Sequence, residues 1–124
     1  MSFDFLGIDH IQLAAPKGSE DQARAFFHGV LGWPEIPKPS ELLKNGGVWF
    51  LCGSHHVHIG VEDNFLPAKK AHPAFEVKNL DGLREHLNQQ GITYLDDERL
   101  EGATRFYLDD PFGNRMEFLE WLDR

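Results

Sequence analysis

Four residues of the kinds that bind metals or move protons recur in this chain at matching intervals. His72 stands 62 positions after His10, and Glu117 stands 59 positions after His58. The chain holds 7 histidines among 124 residues, and imidazole is the side chain most used for metal ligation and proton transfer near neutral pH. Taken singly, each of the four is an ordinary strand residue, and a carboxylate buried without a partner is costly. Taken together, three imidazoles and one carboxylate make an N/O donor set suited to a divalent transition metal: Zn, Ni, Co, Mn or Fe. The run His55, His56, His58 is a weaker candidate, because strand alternation puts His55 off the His58 face.

The surrounding periodicity sets where these side chains point. Residues 8–14 alternate, with His10, Gln12 and Ala14 on one face and Asp9, Ile11 and Leu13 on the other, which predicts a strand. Pro16 and Gly18 break it, and Ser19 followed by Gln22 is a capping-box signature. Ala23, Phe26, Phe27, Val30 and Leu31 then give a helix one apolar stripe that Gly32 ends. Residues 33–39, punctuated by prolines, predict at most a short edge strand. Residues 48–52 and 57–61 flank Gly53 and Ser54 as a hairpin, and residues 62–71 have no period and read as a linker.

The same order then returns. Residues 72–77 read as a strand, and residues 80–90 as a helix with Asn79 as N-cap, Leu80, Leu83 and Leu87 as its stripe and Gly91 as its stop. Residues 92–100 are a further extended stretch, and strands at 104–109 and 115–121 join through Asp110, Pro111, Phe112, Gly113 and Asn114.

This repeat predicts an α+β fold within one domain, residues 1–124, made of two βαβββ modules at about 5–62 and 72–122 with the linker 62–71 between them. Each half has one helix for its sheet and cannot cover both faces, so the modules are expected to form one half-open barrel cavity with the helices outside. His10 and His72 point away from the helix-facing residues. His58 points opposite to Val57, Ile59 and Val61, and Glu117 opposite to Met116 and Phe118, so all four side chains line that cavity. Open sheet edges predict a homodimer, and the linker is long enough for the cavity to close within one chain or across two.

Composition narrows the partners. A formal net charge of -8 disfavours nucleic acid and anionic membrane. No apolar run reaches the roughly 18 residues of a membrane span, and MSFDFLGID has acids where a signal peptide needs positive charge. A cytoplasmic protein with a small-molecule substrate is expected. The lone Cys52, within VWFLC, reads as core packing in a reducing compartment.

Four stretches carry a family resemblance: IDHIQLA at the first strand, RAFFHGVLGW in the first helix, HPAFEV opening the second half and FYLDDPFGNRMEFLEW at the end. Over nearly its whole length the chain resembles the vicinal oxygen chelate superfamily, the glyoxalase, bleomycin-resistance and extradiol-dioxygenase group. The most specific feature is the DPxGN turn followed after two residues by Glu117. The resemblance implies metal ligands at His10, His72 and Glu117, with His58 at the fourth, more variable place, and Glu117 as the base of a glyoxalase-like isomerisation. It implies a lyase, isomerase or thiol transferase acting on a small substrate with two adjacent oxygens that chelate the metal. Two alternatives stay open: an Fe(II) extradiol-type dioxygenase, and a metal-free protein that sequesters a cationic drug. Four protein ligands on a six-coordinate ion would leave two cis positions, too few for a bidentate substrate and O₂ together. Phe50 and Tyr107 are expected at matching places in the two hairpins as substrate contacts. Arg105, on the Tyr107 face, is expected to clamp a carboxylate or phosphate. Trp33, Trp49 and Trp121 read as packing residues, and Arg115 either holds the turn or touches substrate.

Overall fold

The computed structural model describes residues 2–123, which fall into two compact units that divide between Phe65 and Leu66. The first unit contains β1 (His10–Pro16), α1 (Glu20–Ala23), β2 (Glu35–Ile36), β3 (Val48–Cys52) and β4 (His55–Glu62). Its sheet has the order β1-β4-β3-β2, with β1 parallel to β4 and the other neighbours antiparallel. The second unit contains β5 (Ala74–Glu76), α2 (Leu80–Gln89), β6 (Leu95–Asp96), β7 (Ala103–Asp109) and β8 (Arg115–Trp121). It repeats the arrangement as β5-β8-β7-β6. The result is the expected α+β architecture of two βαβββ units, each with an open four-stranded sheet. Among the described residues, no helix is long and apolar enough to cross a membrane.

Alternation decides which face of each sheet is buried. In the first unit Val48, Phe50, Val57 and Ile59 are at most 2% exposed, and the Phe50 ring meets Phe27 of the helical segment with centroids 5.6 Å apart. In the second, Phe106, Met116 and Phe118 are buried with Leu80 and Leu87 of α2, and the Arg84 guanidinium of α2 lies 5.5 Å from the Phe106 ring centre. The residues between these core positions face the other way, and the candidate site is built from them.

The predicted helix α1 is short. After Ala23 the chain widens into a π-helical turn, Arg24–His28, in which Gly29 N and Leu31 N donate to the carbonyls five residues back, Arg24 and Phe26. The capping box does not form, because the Ser19 hydroxyl donates to Pro16 O at 2.5 Å and so leaves the helix N-terminus uncapped by its side chain. β1 begins at His10, two residues later than expected. Of the two extended stretches, only β2 and β6 pair. A 3-10 segment, Ser40–Asn45, was not expected, and it runs into Gly46 and Gly47. Gly47 has φ +85°, and a Cβ there would come 2.3 Å from Ile59 O, so only glycine fits. Its N–H donates to Glu20 Oε2 at 2.8 Å, holding the carboxyl of Glu20 below its ordinary range.

In the second unit Asn79 caps α2 as expected: it adopts φ +65° and its side chain accepts from Gly82 N. Glu120 adds two bonds, accepting from Asn79 N and Leu80 N. β5 is shorter than expected and His72 lies outside it. Pro73 has no N–H to give to a ladder, and its carbonyl accepts from Glu117 N at 3.0 Å before the strand begins at Ala74. The expected linker is not loose throughout, because Glu62 ends β4 and Ala68 and Lys69 bond to the turn between β7 and β8.

Candidate active site

The two sheets place their candidate ligands at equivalent register positions. Gln12 is the partner of His58 across β1 and β4, and Ala74 is the partner of Glu117 across β5 and β8. On the hairpin side, Trp49 is opposite His58 and Tyr107 is opposite Glu117. Trp49, and not Phe50, is therefore the match of Tyr107. Phe50 is one residue further along β3 and so turns to the other face, where it is fully buried against Phe27. Trp49, read from the sequence as a packing residue, packs on His58 itself and so belongs to the surroundings of the candidate site. Counting back from the two-residue Gly53-Ser54 turn, which pairs Cys52 with His55, would have found it.

In the first unit His58 is 5% exposed and flanked by rings from both neighbouring strands. Trp49 stacks on it at 3.7 Å with the planes 1° apart, and His10 stacks at 4.3 Å and 25°. The Nε2 atom of His58 is buried without a hydrogen-bond partner. Burial, followed by the charges of His10 and His56, pushes the His58 imidazole down to about 4, so the ring is neutral at physiological pH. His10 Nδ1 donates to Asp9 Oδ1 at 2.8 Å. That bond holds the Asp9 carboxyl below its usual range.

In the second unit His72 Nε2 meets Glu117 Oε1 at 3.0 Å, and His72 Nδ1 donates to Lys70 O at 2.9 Å. Glu117 is 6% exposed, and its Oε2 accepts from Arg105 Nη1 at 3.2 Å. Arg105 also reaches Asp97 at 3.5 Å, while its Nε is buried with no partner. Bonds from Arg99 hold the Asp97 carboxyl far below its ordinary value. Tyr107 stands edge-on to His72 at 5.4 Å, with the guanidinium groups of Arg105 at 5.4 Å and Arg115 at 4.0 Å from its ring centre. Arg115 thus follows the turn and also stacks on this tyrosine.

Of the residues expected to act together, His10 and His58 meet in the first unit, and His72, Glu117, Arg105 and Tyr107 in the second. Among the described residues, no group of three or more His, Cys, Asp and Glu side chains is gathered closely enough to hold a metal ion. Cys52 is half-buried and unpaired, and burial pushes its thiol up.

The two units share one βαβββ order and carry His58 and Glu117 at the same register position. The sequence profile of the Glyoxalase/Bleomycin resistance protein/Dioxygenase superfamily matches residues 7–118, and the chain belongs to that superfamily. It is similar to a protein from Bacillus anthracis assigned to the glyoxalase family, with 54% identity over 98% of this chain and 99% of that one and a TM-score of 0.95. Its fold is also that of the genomically encoded fosfomycin resistance protein FosX from Listeria monocytogenes, at 19% identity, 94% coverage of each chain and a TM-score of 0.72. Lactoylglutathione lyase from Agrobacterium tumefaciens shares the fold at 21% identity, 93% coverage of each chain and a TM-score of 0.73. A mutant of the Listeria protein has been solved in complex with Mn(II) and 1S,2S-dihydroxypropylphosphonic acid. Among curated proteins, none matches the chain.

Proposed function

We infer that this chain is a metal-dependent enzyme of the glyoxalase type, a lyase, isomerase or thiol transferase for a small substrate with two adjacent oxygens. The observation that carries this reading is His58 Nε2, buried and unpaired on a neutral ring at the register position that Glu117 holds in the second unit. A buried polar atom left without a partner costs free energy, and a ligand for it removes that cost. His10, His58, His72 and Glu117 would hold the ion, Zn, Ni, Co, Mn or Fe, and their nitrogen and carboxylate donors fit that set. When bound, the ion would polarise a substrate carbonyl and stabilise negative charge developing on oxygen.

The remaining roles belong to the protein's own side chains. Arg105 holds Glu117 Oε2 and His72 Nε2 meets Oε1, so Oε1 would take and return a proton between adjacent substrate carbons once His72 gives its Nε2 to the ion. The unpartnered Arg105 Nε is suited to donate to a carboxylate or phosphate of the substrate. Trp49 and Tyr107, opposite the two central ligand positions, would supply flat walls that exclude water. The proposed assembly is a cytoplasmic homodimer, since sheets of four strands end in edge strands of the kind that small proteins commonly cover by association.

The test is calorimetric titration of tag-free protein with Zn, Ni, Co and Mn, then assay of the loaded forms on thiol adducts of 2-oxoaldehydes. Wild type should bind, and Glu117→Gln should weaken binding at least tenfold. No binding of any of these ions removes the reading. Oxygen uptake with catechols after anaerobic Fe(II) loading would replace it with the dioxygenase, and tight binding of a cationic drug by metal-free, catalytically silent protein would replace it with sequestration.

A further inference from the structure

Resting on the reading of His72 as a metal ligand, we propose that the turn at residues 110–114 and the segment entering the second unit form a clasp that sets the His72 tautomer and makes Nε2 its ligating atom. The clasp begins at Asp110, which is 4% exposed. Burial pushes its carboxyl above the ordinary range against the pull of three donors: Phe112 N and Asn114 N at 2.9 Å and Asn114 Nδ2 at 2.8 Å. With Nδ2 committed to a carboxylate, the Asn114 amide has one orientation, and its Oδ1 faces the incoming chain. There it accepts from Ala68 N at 3.2 Å, while Ala68 O accepts from Arg115 N at 3.0 Å and Gly113 O from Lys69 Nζ at 3.0 Å.

Two residues beyond Ala68, Lys70 O is the partner of His72 Nδ1 at 2.9 Å. A carbonyl only accepts, so a hydrogen sits on Nδ1; the Glu117 carboxylate, 3.0 Å from Nε2, also only accepts and so competes for a second hydrogen on Nε2, the one a bound cation would displace while the Nδ1 hydrogen stays on Lys70 O. An unconstrained neutral imidazole favours the opposite form, with its hydrogen on Nε2, which would present a donor to a cation. Asp110 and Asn114 are positioning residues for His72, reached through the segment and not by contact with it. The DPxGN turn thereby gains a role at the site besides reversing the chain. Bonds of this kind fix ligand orientation and basicity at metal centres, and their loss typically weakens metal binding tenfold to a hundredfold.

Two readouts test this. In Glu117→Ala, which removes the competing carboxylate, the ring carbon and nitrogen resonances of isotope-labelled His72 should report the Nδ1–H tautomer. Adding Asn114→Ala should move the population towards Nε2–H. Separately, Zn(II) titration should give at least tenfold weaker binding in Asn114→Ala and in full-length protein carrying Nδ1-methylhistidine at position 72, which cannot donate to Lys70 O. If Asn114→Ala fails to fold, the methylhistidine protein, whose turn is intact, carries the comparison. Finding Nε2–H in Glu117→Ala, an unchanged tautomer in the folded double variant, or undiminished Zn(II) affinity with methylhistidine overturns the clasp. If wild type binds no Zn(II), the enzyme reading loses its support while the Glu117→Ala tautomer still decides whether the clasp exists.

Discussion

Acidification from pH 7 to pH 5 should destabilise the protein through His58 in particular. The imidazole titrates near 6.5 in an unfolded chain and at about 4 in the fold, where burial is the leading cause. Between those values the unfolded state binds more protons, so the stabilising contribution of a neutral His58 is complete above pH 6.5 and is lost as pH falls towards 4. Integrating the two titrations from pH 7 to pH 5 gives about 2 kcal/mol at 1.36 kcal/mol per pH unit. With an m value of about 2 kcal/mol/M this moves a urea midpoint by about 1 M. Other groups titrate over the same interval, so the comparison that isolates His58 is with His58→Phe, which keeps an aromatic ring against Trp49 and has nothing to protonate. Urea curves followed by circular dichroism at both pH values should show the wild type losing about 2 kcal/mol more than the variant. Parallel losses in the two proteins would refute the claim that His58 is held neutral by its surroundings.

Two stability predictions concern the elements that carry the site. Asn79→Ala removes the cap on Gly82 N and puts a Cβ-bearing residue without a cap at φ +65°, so it should cost about 1–2 kcal/mol, whereas Asn79→Gly should cost less because glycine tolerates that φ; thermal melts that rank the two equally would contradict this. Phe27→Ala empties a fully buried position in contact with Phe26, Trp33 and Phe50 and should cost about 3–5 kcal/mol in chemical denaturation; a loss below about 1 kcal/mol would mean that the core beneath the first sheet collapses without penalty.

Much of this architecture is legible in the amino-acid order because the decisive signals are local. β3 is a run of apolar and aromatic residues stopped by Gly53-Ser54, β8 follows a turn rich in Asp, Pro, Gly and Asn, and α2 has Asn79 before it and Gly91 after it. The similar offsets, 62 positions from His10 to His72 and 59 from His58 to Glu117, reappear as one shared register, with His58 beside Gln12 and Glu117 beside Ala74. What stayed hidden depends on choices between competing partners. Ser19 resembles a cap, but its hydroxyl finds Pro16 O first. A π turn differs from an α turn by one step in the bonded carbonyl, and nothing in RAFFH marks that step. The exchange of Trp49 for Phe50 is a one-residue error, which in a strand is an error of face. It arises from matching the hairpins by residue type and not by counting from their turns.

The shared register also separates what the backbone decides from what the side chain decides. The same sheet position holds a neutral imidazole in the first unit and a carboxylate in the second, and the surroundings differ accordingly. His58 lies among rings and is stripped of its proton by burial, whereas Glu117 is paired with His72 and Arg105. Among the four side chains proposed as ligands only Glu117 carries a negative charge, so a divalent ion held by them would keep one net positive charge. Two carboxylates in those places would cancel that charge and weaken the pull on a substrate oxygen. On this argument His58 matters for the charge it does not bring, and exchanging it for another nitrogen donor should be tolerated better than exchanging it for an acid.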